Sequence, residues 1–293
     1  MYNLGNYYEA KTVDEAISLL AENPNLKIIA GGTDVLVKMH GGKLEKAELL
    51  SIHGISSLRN IKVLEDGTIS IGPLATFTQI ANDSNIKKYI PILAEASESM
   101  GGPQIRNVAT IGGNVCNGAT SADSASSLFV LNAKLRLQSL KNERIVPIEE
   151  FYLGPGKVDL RPGEILTEII IDKKDYSGFS GKYIKFAMRN AMDIATLGVA
   201  VLCKFENNVF DEVRIGLGVA APTPIRCKEA ETYAVNQNIN PATITEIGKL
   251  AVKSAKARTS WRASKEYREH LIKELTGRAL KEAIVRGGGV EIA

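Results

Sequence analysis

Residues Ala109–Asp123 read ATIGGNVCNGATSAD. The run carries no charge before Asp123 and is dense in Gly, Ala, Ser, Thr and Asn. Side chains this small have little bulk with which to build a core. What they leave open is backbone N–H groups, flanked by short hydroxyl and amide side chains. Glycine lets the backbone turn at positive φ and lets a second molecule approach closely. Successive N–H groups turned the same way form a nest for an anion. The stretch therefore reads either as a tight loop packed on a neighbouring strand or as a cradle for an anionic ligand. One glycine loop alone does not separate the two.

A second stretch narrows the choice. Lys27–Val35, KIIAGGTDV, is an apolar strand-like run that breaks at Gly31-Gly32 and ends in Thr33-Asp34. Two small-residue loops in one domain suit the two phosphates of one diphosphate. Neither loop has the GxGxxG spacing of a Rossmann dinucleotide fold, and no P-loop sequence occurs.

AGGTD (30–34) followed by TIGGNVCN (110–117) resembles the flavin-binding subunit of the molybdenum hydroxylases, the medium-chain family of xanthine dehydrogenase and carbon monoxide dehydrogenase. Further stretches carry the resemblance along almost the whole chain. They are GPQIRNVATIGGN, NGATSADSA, GPGKV, KFAMRNAMDIATLG, GVAAPTPIRC and SWRASKEYR. Together they look most like the xanthine-dehydrogenase type. The resemblance implies an α+β fold. Residues 1–173 would form a FAD-binding domain of the vanillyl-alcohol-oxidase (PCMH) type, with subdomains of about 1–55 and 56–173. Residues 180–290 would form a smaller domain of antiparallel sheet plus helices, of the CO dehydrogenase flavoprotein type.

The same resemblance implies a cofactor site. FAD would lie extended between the two small subdomains. Lys27, Ile28, Ile29, Ala30, Gly31, Gly32, Thr33, Asp34 and Val35 form one binding stretch. Ala109, Thr110, Ile111, Gly112, Gly113 and Asn114 form the other, with Gly101 and Asn117 beside it. The pyrophosphate would sit on backbone N–H groups of both stretches, with the Thr33 and Thr110 hydroxyls as added donors. Asp123 matches an acidic position expected on the adenosine side, where a carboxylate accepts from ribose hydroxyls. Ile165 and Leu166 match a position lining the adenine or flavin pocket. Lys185 matches a lysine placed near the flavin, where a cation tunes the cofactor's electronics. Arg189–Ile194 matches a loop that lies over the flavin and controls access of the electron acceptor. Read without the family, Thr33-Asp34 and Asp123 are helix caps, Ile165 and Leu166 are core, and Lys185 is a solvated strand residue.

Composition bounds the remaining possibilities. The chain has 293 residues, 44% hydrophobic and 24% charged, which suits an ordinary globular protein of two domains. A net charge of +3 argues for neither nucleic acid nor a membrane surface as partner. No targeting signal or membrane-spanning run is visible, so the cytoplasm is the expected location. Cys116, Cys203 and Cys227 are far apart, which argues against a disulfide framework and against a zinc or iron–sulfur cage in this chain. All three read as small packed residues. His40, His53 and His270 match no ligand spacing, and no Ser–His–Asp arrangement occurs, so neither a metal site nor a catalytic acid–base set is expected.

In order along the chain, Thr12–Glu15 is a capping-box pattern before a helix over 13–21, Leu26–Ala30 reads as a buried strand and Leu49–Ile52 as a second short strand. Ile61–Leu64 and Thr68–Gly72 form a hairpin around Asp66-Gly67. Thr76 or Thr78 caps a short helix, and Pro91 opens another that stops at Gly101-Gly102-Pro103. Ser124–Leu131 reads as helical, Ala133–Ser139 and Arg144–Ile148 as a hairpin, Phe151–Lys157 as a loop, and Glu164–Ile171 as a strand. Asp172–Gly181 separates the two domains. Lys182–Met188, Leu197–Phe205 and Val213–Ala220 are long strands, followed by helices over 243–257 and 265–285. In SWRASKEYR (260–268), Arg262, Lys265, Glu266 and Arg268 read as surface ion pairs, or else this face and Trp261 dock a partner subunit.

These readings point to a FAD-carrying electron-transfer subunit. By resemblance, a molybdopterin-binding catalytic subunit would hydroxylate a purine. A [2Fe–2S] subunit would pass the electrons on, and NAD⁺ would receive them from the flavin. A stand-alone flavin oxidase, an assembly subunit without flavin, and partners acting on nicotinate, an aromatic thioester or carbon monoxide are the alternatives.

Overall fold

The computed structural model describes residues 3–292. The first unit begins with β1 (Leu4–Glu9), α1 (Val13–Glu22), β2 (Lys27–Ile29), α2 (Val35–His40) and β3 (Ala47–Ser51). Its strands form a parallel sheet in the order β1-β3-β2. Thr12 caps α1 by accepting from the Glu15 N–H at 3.1 Å. The Glu15 carboxylate reaches back to the Lys11 N–H rather than to that of Thr12, one residue beyond the reciprocal pattern expected. Ala16, Ile17 and Leu20 pack α1 onto the sheet residues Leu50 and Ile52.

The second unit contains β4 (Ile61–Val63), β5 (Ile69–Ile71), α3 (Phe77–Asn82), α4 (Ser84–Tyr89), α5 (Pro91–Glu98), α6 (Pro103–Val108), α7 (Ile111–Cys116) and α8 (Ala125–Val130). It continues with β6 (Lys134–Gln138), β7 (Glu143–Pro147), α9 (Ile148–Phe151), β8 (Tyr152–Gly154), β9 (Lys157–Val158) and β10 (Ile165–Ile171). Five strands pair as β4-β5-β10-β6-β7, all antiparallel. Thr76, not Thr78, caps α3, in a complete capping box with Gln79.

Two readings change here. The small-residue run is not a loop throughout, because α7 forms inside it. Thr110 is its N-cap, accepting from the Gly113 N–H at 3.2 Å. Glycine is a poor helix former, but a Cβ at Gly112 would fall 2.4 Å from Pro73, so only glycine lets this turn pack where it does. The expected loop over 151–157 is instead the hairpin β8–β9, with Tyr152 opposite Val158 and Gly156 at φ 70° in the turn.

The C-terminal unit opens with β11 (Ser180–Phe186), β12 (Leu197–Glu206), β13 (Val209–Gly218) and β14 (Ile225–Arg226), an antiparallel meander. Helices α10 (Lys228–Ala234), α11 (Pro241–Ser254) and α12 (Lys265–Arg286) follow. Strand β13 begins four residues earlier than the apolar run suggests. Asn207 and Asn208 both take positive φ (48° and 62°), the geometry of a two-residue hairpin that matches strand twist. Along β12, Ala200 and Leu202 belong to the core under α5 and α8, while Val199, Val201 and Cys203 belong to the core under α11 and α12. The strand is covered on both faces, which is why its sequence is apolar without alternation. No helix among the described residues is long and apolar enough to cross a membrane.

Candidate functional site

Strand β2 delivers the chain into Ala30-Gly31-Gly32-Thr33-Asp34 at the edge of the parallel sheet. Gly32 has φ 76°, a conformation that favours glycine. Gly31 is pressed against the end of α6, where an added Cβ would lie 1.8 Å from the Val108 carbonyl oxygen. The first glycine stretch therefore touches the second, which begins at Ala109. Lys38 on α2 adds a bond to Asn117 Oδ1 at 2.6 Å. Asp34 occupies the N-cap position of α2, but its side chain makes no capping bond, which leaves the carboxylate uncommitted to the helix.

The donors divide unequally between the two stretches. Among the described residues, the N–H groups of Gly31, Gly32, Thr33 and Asp34 donate to no backbone carbonyl. Those of Ile111, Gly112 and Asn114 bond to Ala75, Pro73 and Thr110, and that of Gly113 bonds to the Thr110 hydroxyl. Gly31, Gly32 and Thr33 are buried or half-buried, where N–H groups need partners, so the first stretch is the one with donors to offer a ligand. The second stretch supplies a wall and side chains. Asn114 accepts from Ser124 through Oδ1, which leaves its amide NH₂ as a donor. A cavity of about 450 Å³ opens beside the first stretch, lined among others by Ile29, Gly31, Gly32, Leu36, His53 and Val108. Unpartnered N–H groups, a glycine cradle and a cavity fit the diphosphate of a dinucleotide.

At the other end of α6, Gly101 (φ 51°) accepts from the Met192 N–H at 3.0 Å. Six helical residues separate this end from Val108, about 9 Å at 1.5 Å per residue. Met192 belongs to the exposed segment over 187–194, which Arg189 closes on itself through Asp193 and the Met192 carbonyl.

Lys185 and Asp123 meet at this second end. Lys185 Nζ lies 3.1 Å from Asp123 Oδ1 and 3.1 Å from the Ser99 carbonyl, with both side chains about nine-tenths buried. Asp123, expected on the adenosine side of the ligand, and Lys185, expected near the flavin, are thus brought together in one ion pair. Asp123 is not a cap, since Ser124 holds the N-cap position of α8. Burial pushes the Asp123 carboxyl up to about 6, against the pull of Lys185 and the Tyr183 hydroxyl.

Tyr183, whose hydroxyl is 3.5 Å from Asp123, was missed by sequence reasoning. Its signal was the strand period, which places Gly181, Tyr183 and Lys185 on one face of β11. Ile165 and Leu166 sit in two different cores. Ile165 packs with Leu50, Ile55 and Leu74, and Leu166 with the helices of the second unit. Burial pushes the Cys116 thiol up to about 12, so it stays a packed thiol.

Comparison with known proteins defines the class. Residues 2–173 match the family model of the FAD-binding domain in molybdopterin dehydrogenase. Residues 182–283 match that of the CO dehydrogenase flavoprotein C-terminal domain. The chain belongs to the FAD-binding subunits of molybdenum hydroxylases, and its cofactor is FAD. It is 45% identical over 289 residues to the xanthine dehydrogenase FAD-binding subunit of Escherichia coli O157:H7, covering 99% of each chain. It is 31% identical to the nicotinate dehydrogenase FAD-subunit of Eubacterium barkeri, over 92% of this chain and 94% of that one. A carbon monoxide dehydrogenase structure from Hydrogenophaga pseudoflava superposes with a TM-score of 0.92 at 26% identity, covering 98% of this chain and 99% of the other. The protein is thus an oxidoreductase subunit of the xanthine dehydrogenase-like kind.

Proposed function

We propose that this subunit carries electrons from [2Fe–2S] clusters on one partner to NAD⁺, while a second, molybdopterin-binding partner hydroxylates a purine. Bound FAD supplies the exchange between one-electron carriers and a two-electron acceptor. The chain's own residues hold, orient and screen it. The N–H groups of Gly31–Asp34 take the diphosphate. Asn114 and the Thr110 hydroxyl add donors from the facing wall. Lys185 and Asp123 fix the charge at the far end of α6, where a buried cation and carboxylate act at low dielectric. The segment over 187–194, pinned by the Met192–Gly101 bond, excludes water there and meets the acceptor. The observation that carries the reading is the full-length relation to a xanthine dehydrogenase FAD-binding subunit.

The test uses the assembled complex and the isolated FAD-loaded chain. The complex should form NADH when given purine and NAD⁺. The isolated chain should leave its flavin oxidised with purine but bleach it with NADH. A complex that reduces an artificial dye but never NAD⁺ would refute the acceptor. Flavin bleaching by purine in the isolated chain would make it a stand-alone oxidase.

A further inference from the structure

The two glycine stretches offer a diphosphate oriented N–H groups but no net charge. Lys27–Val35 carries Lys27 and Asp34, which cancel, and Ala109–Asn117 carries no charged side chain. Both phosphates of a diphosphate are ionised at neutral pH. A cation beside them forms hydrogen bonds roughly twice as strong as those of a neutral donor. Lys185 is committed to Asp123, so the counter-charge has to come from elsewhere.

Lys38 stands at the edge of the cradle. Its N–H donates to the Asp34 carbonyl at 2.9 Å, one helical turn beyond the free N–H groups. Asp34 and Lys38 have the spacing and the order at which a carboxylate and an ammonium pair along a helix. Among the described residues they form no such pair. Lys38 reaches the opposite stretch instead, where its Nζ donates to Asn117 Oδ1 at 2.6 Å.

The two stretches therefore meet twice, once where Gly31 presses on Val108 and once at Lys38 and Asn117. Along the chain, the free N–H groups of Gly32, Thr33 and Asp34 fall between these two crossings on one side. Thr110, Gly113 and Asn114 fall between them on the other. The ring is open to solvent. Asp34, Lys38 and Gly113 are exposed, and Thr33, Asn114 and Asn117 are half-buried, so an anion reaches these groups from outside.

The side chains at the second crossing are set for an acceptor. Asn114 and Asn117 lie three residues apart at the end of α7, on one face. Each has its amide oxygen occupied, by Ser124 and by Lys38, and each keeps an NH₂ to donate. An ammonium carries three donors, and Asn117 takes one of those on Lys38. What remains around the ring is donors and one positive charge, with no acceptor to match them.

We propose that Lys38 is the cation of the cofactor site, holding the FAD diphosphate by charge and fixing the Asn117 amide as a second donor. This deepens the proposed function and rests on its placement of the diphosphate at Gly31–Asp34.

The experiment titrates the apo full chain with FAD at low and at high salt, following flavin fluorescence. Urea midpoints are measured on the same preparations. Lys38→Gln should weaken FAD at least tenfold and flatten the salt dependence, since screening acts on the lost charge. Its urea midpoint should match wild type, because the side chain is exposed. Lys38→Arg should stay within threefold of wild type. Lys43→Gln, an exposed lysine five residues on, should change nothing. Gly32→Ala tests the cradle itself, since Gly32 has φ 76°. Unchanged FAD affinity in Lys38→Gln beside a loss in Gly32→Ala overturns the role of Lys38 and keeps the diphosphate at the cradle. Unchanged affinity in both overturns the placement of the diphosphate and Lys38 with it. A loss in Lys38→Gln that keeps the wild-type salt dependence, with no rescue by Lys38→Arg, overturns the charge role and leaves Lys38 as a strut for Asn117.

Discussion

Gly31→Ala is the smallest change that tests how the cofactor site is built. The added methyl would lie 1.8 Å from the Val108 carbonyl oxygen and 2.6 Å from its carbon. Ordinary contact begins near 3.4 Å, so one backbone must yield by about 1.5 Å. The facing backbone is not loose. Ala109 is buried, its carbonyl accepts from Phe77, and Ile111 N–H donates to Ala75. Such a shift costs on the order of 3 kcal/mol, the upper part of the usual overpacking range. It can be taken in two ways. If both loops hold position, the folded state bears the cost, and the melting temperature falls by roughly 6–12 °C. If the loops part, the fold survives and FAD affinity drops about a hundredfold.

Two assays on one preparation separate these routes. FAD titration by flavin fluorescence gives the affinity, and urea unfolding of the apo chain gives the stability. Gly154→Ala is the control, since no atom lies within 4 Å of its added methyl. Gly31→Ala should lose in at least one assay while Gly154→Ala loses in neither. A Gly31→Ala chain with wild-type FAD affinity and an unshifted urea midpoint would show that the loops do not touch as described.

Asp123→Asn should change the pH dependence of stability. The folded-state pKa is raised from 3.8 to about 6, so this group's contribution is fully present below pH 4 and lost as pH rises through 6, about 3 kcal/mol in all. Urea midpoints of the apo chain at pH 4 and pH 7 should therefore differ less in the variant than in wild type, and equal differences would contradict the burial of this carboxyl. Arg144→Met should destabilise by on the order of 3 kcal/mol at pH 7 in urea, because Glu164 is buried and loses its partner at 2.8 Å. Burial opposes the Glu164 charge, yet Arg144 holds its carboxyl below the usual range, so in wild type this contribution is lost as pH falls. Gly102→Ala should push Met192 away, since the methyl would lie 2.5 Å from its sulfur. The chain should keep FAD while its flavin reacts faster with a bulky dye, and an unchanged rate would refute the segment's screening role.

The glycine stretches and both members of the Lys185–Asp123 pair were legible in the sequence because each carries a local signature. Their relative placement was not. Asp123 and Lys185 are 62 residues apart, and only the packing of β11 onto the core of the second unit brings them together. The same limit hid α7. Two glycines argue against a helix locally, and the contact with Pro73 that favours one is tertiary. Arg268 shows the reverse error. Its sequence neighbours Lys265 and Glu266 suggest a solvated ion-pair face, and Lys265 does pair with Glu269. One face of α12 is buried, however, and period decides burial where composition cannot.

That packing also says what the C-terminal unit contributes around Asp123. The N-terminal residues alone provide the glycine cradle, its free N–H groups and Asp123. They do not provide the cation. Lys185 comes from β11, and Tyr183, two residues earlier on the same face, is buried in the core of the second unit. Ala200 and Leu202 from β12 join that core, while the alternate residues of the same strand face α11 and α12. Strands β11 and β12 thus join the core of the second unit on one face and build an independent core on the other. A chain ending near residue 173 would expose the apolar surface that Tyr183, Ala200 and Leu202 cover. It would also leave Asp123 with no counter-ion. The C-terminal unit therefore supplies the counter-ion of Asp123 as well as a separate packing layer. The segment that carries Met192 runs between Phe186 and Leu197, which are paired strand neighbours in that same sheet.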